Sequence, residues 1–420
     1  MKSTRGIRIG LTALVLTGGP ASGALAETET TLNPILRIGS EFRDRVLFSR
    51  QMEDYDVVTS VVPKVLLSLE SSRISSDLSL SVGREFFARE RDLDATIQFH
   101  MLEASVELSP RWSMGLEADF SETYSIEQEL ETSGLVVDRS RRRSWIAHPS
   151  ISIKLNERTT LIPSCLLTWS EYENPVLIDT RSQTGLLQLS RELINEKTVL
   201  SMATGVSVLA YQPEESFADL DSIESAFGGM SIRHEFSETF QFNASVGYRY
   251  MRRGLDLSLQ DEHGEHIDGH ALEASARLTR EFELFIVDLA ATRGIANTPR
   301  GFTTIQNRAN LTVSFHPLET LALYINGQCL NSETFLWVED LGSERDIDSI
   351  LTEGTAGIAR LLGRHFMVEL FYRHTLFMDE IRDSDIDNHY VVLNVLAHWK
   401  PIEELSAVTF QGSRYGIRTY

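Results

Sequence analysis

Where the chain is regular, apolar and polar residues alternate one for one. Phe240, Phe242, Ala244, Val246, Tyr248 and Tyr250 share one face of such a run, and Gln241, Asn243, Ser245, Gly247 and Arg249 share the other. Ile74, Ser76, Leu78, Leu80 and Val82 stand opposite Ser75, Asp77, Ser79 and Ser81; Trp112, Met114, Leu116, Ala118 and Phe120 stand opposite Ser113, Gly115, Glu117 and Asp119. Leu272 to Leu278 and Val391 to Trp399 repeat the pattern. A period of two means strands with one wet and one apolar face. The runs last roughly 9–15 residues, longer than the 5–6 common in globular proteins and long enough for a tilted bilayer crossing.

The spacing of turns extends the picture. Short connections fall near Ser71-Ser72, Ser109-Pro110-Arg111, Asn156-Glu157, Asn195-Glu196, Ser237-Glu238, Arg280-Glu281, Pro317-Leu318, Gly363-Arg364 and Pro401-Ile402. Successive turns lie about 37–47 residues apart, close to two membrane-crossing strands plus one longer loop. Polar stretches of varied length lie between them: Ser121–Arg142, Gln212–Asp221, Arg253–Gly269 and Asn331–Asp348. The predicted fold is all-β: a single closed antiparallel transmembrane β-barrel of about 18–20 strands, with short periplasmic turns and longer extracellular loops. The first strand is expected at Pro34–Asp44 and a short last one at Tyr420, a C-terminal aromatic suited to barrel assembly. Closure is required because an open sheet edge in lipid leaves backbone N–H and C=O groups unsatisfied.

The N-terminus sets the compartment. Lys2, Arg5 and Arg8 precede a short apolar run, Ile9 to Thr17, and Ala24-Leu25-Ala26 offers a small-x-small cleavage site. Residues 1–26 therefore read as a signal peptide and 27–420 as the barrel, placed in a bacterial outer membrane beside its lipid and lipopolysaccharide. Removing the signal takes the net charge from −21 to −24. That acidity argues against nucleic acid as a partner, since phosphate binding needs clustered cations. Cys165 and Cys329 are too few and too far apart for a disulfide framework or a thiolate metal site, and both fall on apolar faces.

With apolar faces toward lipid, polar faces line the lumen. Glu103, Glu107, Glu117, Asp119, Lys154, Arg249, Glu273, Arg277, Glu369 and Arg373 then point inward, either bracing the wall or selecting among ions and solutes. Trp112, Trp145, Trp169, Trp337 and Trp399 fall toward strand ends, where aromatic girdles sit.

Two clusters carry other chemistry. Between Asp261 and His270, the residues His263, Glu265, His266, Asp268 and His270 combine imidazoles and carboxylates that can hold a divalent ion, or simply form a solvated loop. Arg139, Arg141, Arg142 and Arg143 present guanidinium groups that can clamp lipopolysaccharide phosphates or an anionic glycan, or mark the base of a loop. No Gly-x-Ser-x-Gly elbow, haem attachment motif, phosphate loop or dinucleotide fingerprint occurs, so the sequence assigns no catalytic residue and no cofactor.

The start of the mature chain runs from Leu36 through Phe42-Arg43-Asp44-Arg45-Val46, then Asp56-Val57-Val58-Thr59-Ser60-Val61-Val62-Pro63-Lys64-Val65. It resembles the opening of outer-membrane β-barrel porins associated with exopolysaccharide and PEP-CTERM/exosortase systems. Phe42, Asp44 and Val46 fit that opening, while Arg45 stands where Asn is usual, and Thr59 and Pro63 are one residue further apart. The resemblance implies a porin-like barrel near a polysaccharide export or synthesis complex, conducting solute or polymer. The alternative expectation is a structural or interaction barrel, plugged or filled by a partner such as a periplasmic electron carrier, with acidic surface loops.

Overall fold

The computed structural model describes residues 28–44, 55–124, 139–175, 177–193, 196–212, 222–254, 267–298, 303–336, 348–379 and 384–399. Eighteen strands fill almost all of this: β1 (Glu29–Arg43), β2 (Asp56–Glu70), β3 (Ile74–Phe87), β4 (Ala95–Ser109), β5 (Trp112–Tyr124) and β6 (Arg141–Asn156). Next come β7 (Thr159–Tyr172), β8 (Asp179–Glu192), β9 (Thr198–Gln212), β10 (Ser222–Ser237), β11 (Phe240–Gly254) and β12 (Ile267–Glu281). The series ends with β13 (Phe285–Asn297), β14 (Thr303–Leu318), β15 (Leu321–Leu336), β16 (Asp348–Leu361), β17 (Phe366–Asp379) and β18 (Ser384–His398).

Each strand pairs antiparallel with its successor, and β18 pairs with β1 from Ile35 opposite His398 to Arg43 opposite Tyr390. The sheet is thus a closed 18-strand barrel. Strands about 4.8 Å apart and tilted about 40° close on a Cα radius of about 18 Å at this number.

The alternation read from the sequence sets the two faces. Leu32, Ile38, Met202, Val206, Met230, Val246, Leu289, Ile325 and Leu393 stand exposed on the outside. Soluble monomers rarely show an apolar patch beyond a few hundred Å²; here the apolar surface runs round the circumference, as a lipid-facing band must. Rings mark its two edges. On the turn side Phe236 lies 4.6 Å from Phe240 and Phe282 lies 4.2 Å from Phe285, with Trp112, Phe366 and Trp399 exposed at the same end. On the loop side His100, Phe120, Trp145 and Trp169 follow one another across β4–β7 at 5.4–6.0 Å. Eight residues separate Trp112 from Phe120, and Phe240 from Tyr248. At about 3.3 Å per residue and this tilt they span about 20 Å, close to the apolar height of an outer-membrane barrel.

Turns occupy one end: Pro110-Arg111, Glu157-Arg158, Glu238-Thr239 and Glu319-Thr320 are the tightest. The structure corrects several boundaries. Arg280-Glu281 and Pro317-Leu318 still belong to strands, and their turns come about two residues later. At the loop end β5, β11 and β15 run on into the polar stretches expected as loops, because the hydrogen-bonded wall continues above the apolar band, where polar residues suit both faces. The first strand begins at Glu29 rather than Pro34. The signal peptide over 1–26, the turn at Pro401-Ile402, Trp337 and the expected last strand at Tyr420 lie outside the described residues.

One expectation about the faces needs correcting. The inward side is not polar throughout. On β15–β18 it carries Leu330, Leu351, Phe371, Phe377, Ile386, Tyr390 and Val392, all buried in one cluster with Tyr324. Nearer the turn end Ala322, Ala359, Leu361 and Met367 form another. This sector of the inner wall is packed rather than solvated.

Candidate functional site

All ten charges singled out from the alternation lie on inward positions. Glu103, Glu107, Glu117 and Asp119 belong to β4 and β5, and the register sets Asp77, Glu103, Glu117 and His148 side by side across β3–β6. His148 approaches Glu117 at 3.8 Å. Asp77, Glu103, Glu107 and Lys154 are exposed although they face the interior of a closed wall, so water reaches the lumen there. Across the barrel Arg249 meets Glu273 at 3.0 and 3.2 Å, donates to Ser225 Oγ at 3.2 Å and lies 4.4 Å from the Phe227 ring centroid. Arg277 pairs with Asp288 at 2.8 Å. Glu369 is buried and accepts from Tyr324 Oη at 2.7 Å and Asn394 Nδ2 at 2.9 Å, with Arg373 3.7 Å from Glu353 nearby. Tyr324 lies flat across β16 at Gly357, where any Cβ would collide with its ring.

Among the described residues the ladder between β12 and β13 is cut short, and this shapes the lumen. β12 and β13 pair only from Glu281–Ile286 to Ala274–Arg293, so Ile267–Glu273 have no β13 rung. Above that point the outer face of β13 and β14 changes character. Leu289, Ala291, Leu311 and Ala309 are apolar, but Arg293 and Asn307 follow, hydrogen-bonded to each other at 2.9 Å. Arg293 lies eight residues from Phe285, level with the loop-side ring, where an arginine on a lipid face costs only about 0–1 kcal/mol, so the contacts of the hairpin decide its place. Two contacts show where the hairpin goes. Ile295, on the outer-face parity of β13, packs against a buried cluster made of Leu209, Tyr211, Ile223 and Met251, inward residues of β9–β11, and Ile178 in the β7–β8 connection. Cα atoms of β12 and β15 also come within 8 Å, although three strand spacings in a flat wall would be about 14 Å. The upper β13–β14 hairpin therefore tucks into the lumen, its former lipid face against the inner wall. Thr298, Thr303 and Thr304 at its tip are buried. A two-stranded ribbon with side chains is about 10 Å thick, enough to narrow a lumen of this radius strongly.

The arginine cluster sits at the loop-side rim. Arg143 meets Glu122 at 2.9 Å and Arg141 meets it on the other oxygen, all on the outer face. Arg142 points inward and donates to Ser170 Oγ at 3.0 Å. Arg139 donates to the Leu93 carbonyl at 2.6 Å and lies 3.8 Å from the Tyr124 ring centroid, tying the β3–β4 connection to β5. Of the histidine-rich stretch, His263, Glu265 and His266 lie outside the described residues, and Asp268 is placed only as a β12 position. His270 is on the outer face, its Nδ1 2.5 Å from Tyr248 Oη.

Sequence reasoning missed the clasp around Ile295. The signal was present: Arg293 and Asn307 hold positions where the alternation calls for lipid-facing apolar residues.

No family model and no curated protein matches the chain. Among solved structures, OccK2 (OpdF) of Pseudomonas aeruginosa in complex with glucuronate is similar over 88% of this chain and 98% of its own, at 10% identity and TM-score 0.47. OpdL of the same organism is similar over 88% and 99%, at 13% identity and TM-score 0.45. OccAB4 of Acinetobacter baumannii is similar over 89% and 98%, at 10% identity and TM-score 0.48. Similarity at this level transfers no residue role and no ligand.

Proposed function

We propose that this chain is an outer-membrane channel that passes small polar solutes, preferring cations, through a lumen narrowed by the tucked β13–β14 hairpin. The observation that carries the proposal is the set of exposed charges, Asp77, Glu103, Glu107 and Lys154, facing inward within a closed wall whose outside is apolar. A wall with no passage through it gains nothing from solvated carboxylates on its inner face. The acidic side on β3–β5 raises the local cation concentration, and the narrowing brings permeating ions close enough to feel it. Passage of a surface polymer is the finer form of this proposal and rests on the N-terminal resemblance.

The test is single-channel conductance of the refolded protein in planar bilayers, with heat-modifiable gel migration to establish folding. Stable steps with cation preference are expected. A carboxylate about 7 Å from an ion in water contributes about 0.6 kcal/mol, so Glu103→Gln with Glu117→Gln removes about 1.2 kcal/mol and should lower the cation-to-anion permeability ratio at least about eightfold at low salt. High salt should shrink the difference. A folded, inserted barrel that stays electrically silent would leave the structural or partner-filled barrel as the better reading.

A further inference from the structure

Outside the lumen, one group of side chains has no role in conduction. On the outer face at the loop end of β17 and β18, His374, Asp387 and His389 turn their ligand atoms to within 4.8 Å of one another. His374 Nε2 lies 2.5 Å from Asp387 Oδ1, and His389 Nε2 lies 3.6 Å from the same oxygen. The two imidazoles stack with centroids 4.8 Å apart. His374 and His389 face each other directly across the β17–β18 ladder, so the backbone fixes their spacing. All three side chains remain partly exposed.

The positions are unexpected for a lipid face. On β17 the same parity carries Leu370 and Tyr372, and on β18 it carries Val391, Leu393 and Val395, all exposed apolar or aromatic residues. On β17 the alternation breaks at His374, one step above Tyr372 and level with the loop-side ring, before Leu376 and Met378 resume it; on β18 it breaks at His389 and Asp387. Two imidazoles and a carboxylate there sit at headgroup level rather than in the hydrocarbon.

We propose that His374, Asp387 and His389 form a site for a borderline-soft divalent cation such as zinc, with a fourth position open to the exterior. Imidazole nitrogen and carboxylate oxygen are the donor set such ions take. Tetrahedral bonds of about 2.0–2.1 Å place ligand atoms about 3.3 Å apart. His389 Nε2 and Asp387 Oδ1 are already near that separation, and His374 needs to withdraw by less than about 1 Å. Tyr372 supplies the outer partner that metal-binding histidines usually have. Its Oη lies 2.7 Å from His389 Nδ1, holding the ring with Nε2 toward Asp387. The location gives the ion a structural effect. The amide of Asp44 donates to the His389 carbonyl at 3.1 Å, just past the last rung of the β1–β18 seam, so an ion here would fasten β17 to β18 where the barrel closes.

The experiment titrates zinc chloride into the folded full-length protein in a detergent micelle free of chelators, by calorimetry, with X-ray absorption on the loaded sample. Wild type should bind one zinc at least 100-fold more tightly than the His374→Ala/His389→Ala variant, with two imidazoles and a carboxylate oxygen in the coordination shell. Tyr372→Phe should weaken binding about tenfold. Zinc should raise the heat-modification temperature of wild type and leave the double variant unchanged, and a His263→Ala/His266→Ala variant should keep the tight site. Equal binding by wild type and the double variant, or tight binding that disappears with His263 and His266, overturns the proposal. Because the ligands are on the outer face, these outcomes are independent of whether the lumen conducts.

Discussion

The tucked hairpin makes its strongest prediction through Ile295. That side chain is the one described apolar group from β13 held by the cluster on β9–β11, so truncating it should loosen the hairpin without touching the wall. Ile295→Ala removes three carbon atoms, each worth about 0.8 kcal/mol when fully buried. Because Ile295 is only partly buried, about half of that, near 1.2 kcal/mol, should be lost. Such a change shifts the ratio of tucked to released hairpin about eightfold. Even if the released state stays rare, transitions into it should become about eightfold more frequent, and they are visible as upward excursions in single-channel current. Ile295→Asp should have a larger effect, since it sets a charged carboxylate against a largely apolar cluster. Met251→Ala should act in the same direction from the other side of the clasp. Unchanged step size and unchanged excursion frequency in folded Ile295→Asp channels would refute the clasp.

Two further outcomes probe the same structure. Arg293→Leu would be neutral or stabilise the barrel by up to about 1 kcal/mol if residue 293 faced lipid at this height; in a tucked hairpin it should instead destabilise by about 0.5–1.5 kcal/mol, because it breaks the bond to Asn307, and urea unfolding in lipid vesicles separates the two. Gly357→Ala should force the Tyr324 ring off β16 and break its hydrogen bond to Glu369, lowering stability by about 1.5–3 kcal/mol. Combining it with Tyr324→Ala should cost less than the sum of the single changes, as expected when one substitution has already removed the clash.

Much of the barrel was legible because two simple constraints act on every strand. Lipid outside and water or polar atoms inside force a period of two, and the bilayer sets a minimum length; Phe240–Tyr250 and Trp112–Phe120 obey both. The inward placement of Arg249, Glu273 and Glu369 follows from parity alone. Parity also marks, without explaining, the positions that break it. Arg293, Asn307, His374 and His389 stand at lipid-face positions, and only the three-dimensional arrangement separates a hairpin that has left the wall from a rim that has risen above the hydrocarbon. The apolar inner face of β15–β18 was illegible for a related reason. Phe371, Phe377, Val392 and Leu351 share the inward parity of Glu369, Arg373 and Asn394, and parity assigns a face without saying whether that face is packed or wet. Strand ends were misjudged where polar residues suit strand and loop equally, as in β5 and β15.

The shortened ladder between β12 and β13 has a mechanical consequence. A closed sheet resists a change of girth because widening it anywhere strains every rung around the hoop. From the turn side up to Ala274 and Arg293 that hoop is complete. Above this level it is split, and the rim behaves as a collar with a slit rather than as a ring. Its circumference can adjust by sliding the free margin of β12 past the folded hairpin, with no inter-strand bond having to break. The lower barrel then serves as the rigid anchor and the upper rim as the compliant part. Shape changes that accompany passage of a bulky solute would gather along this line, where the described ladder is open.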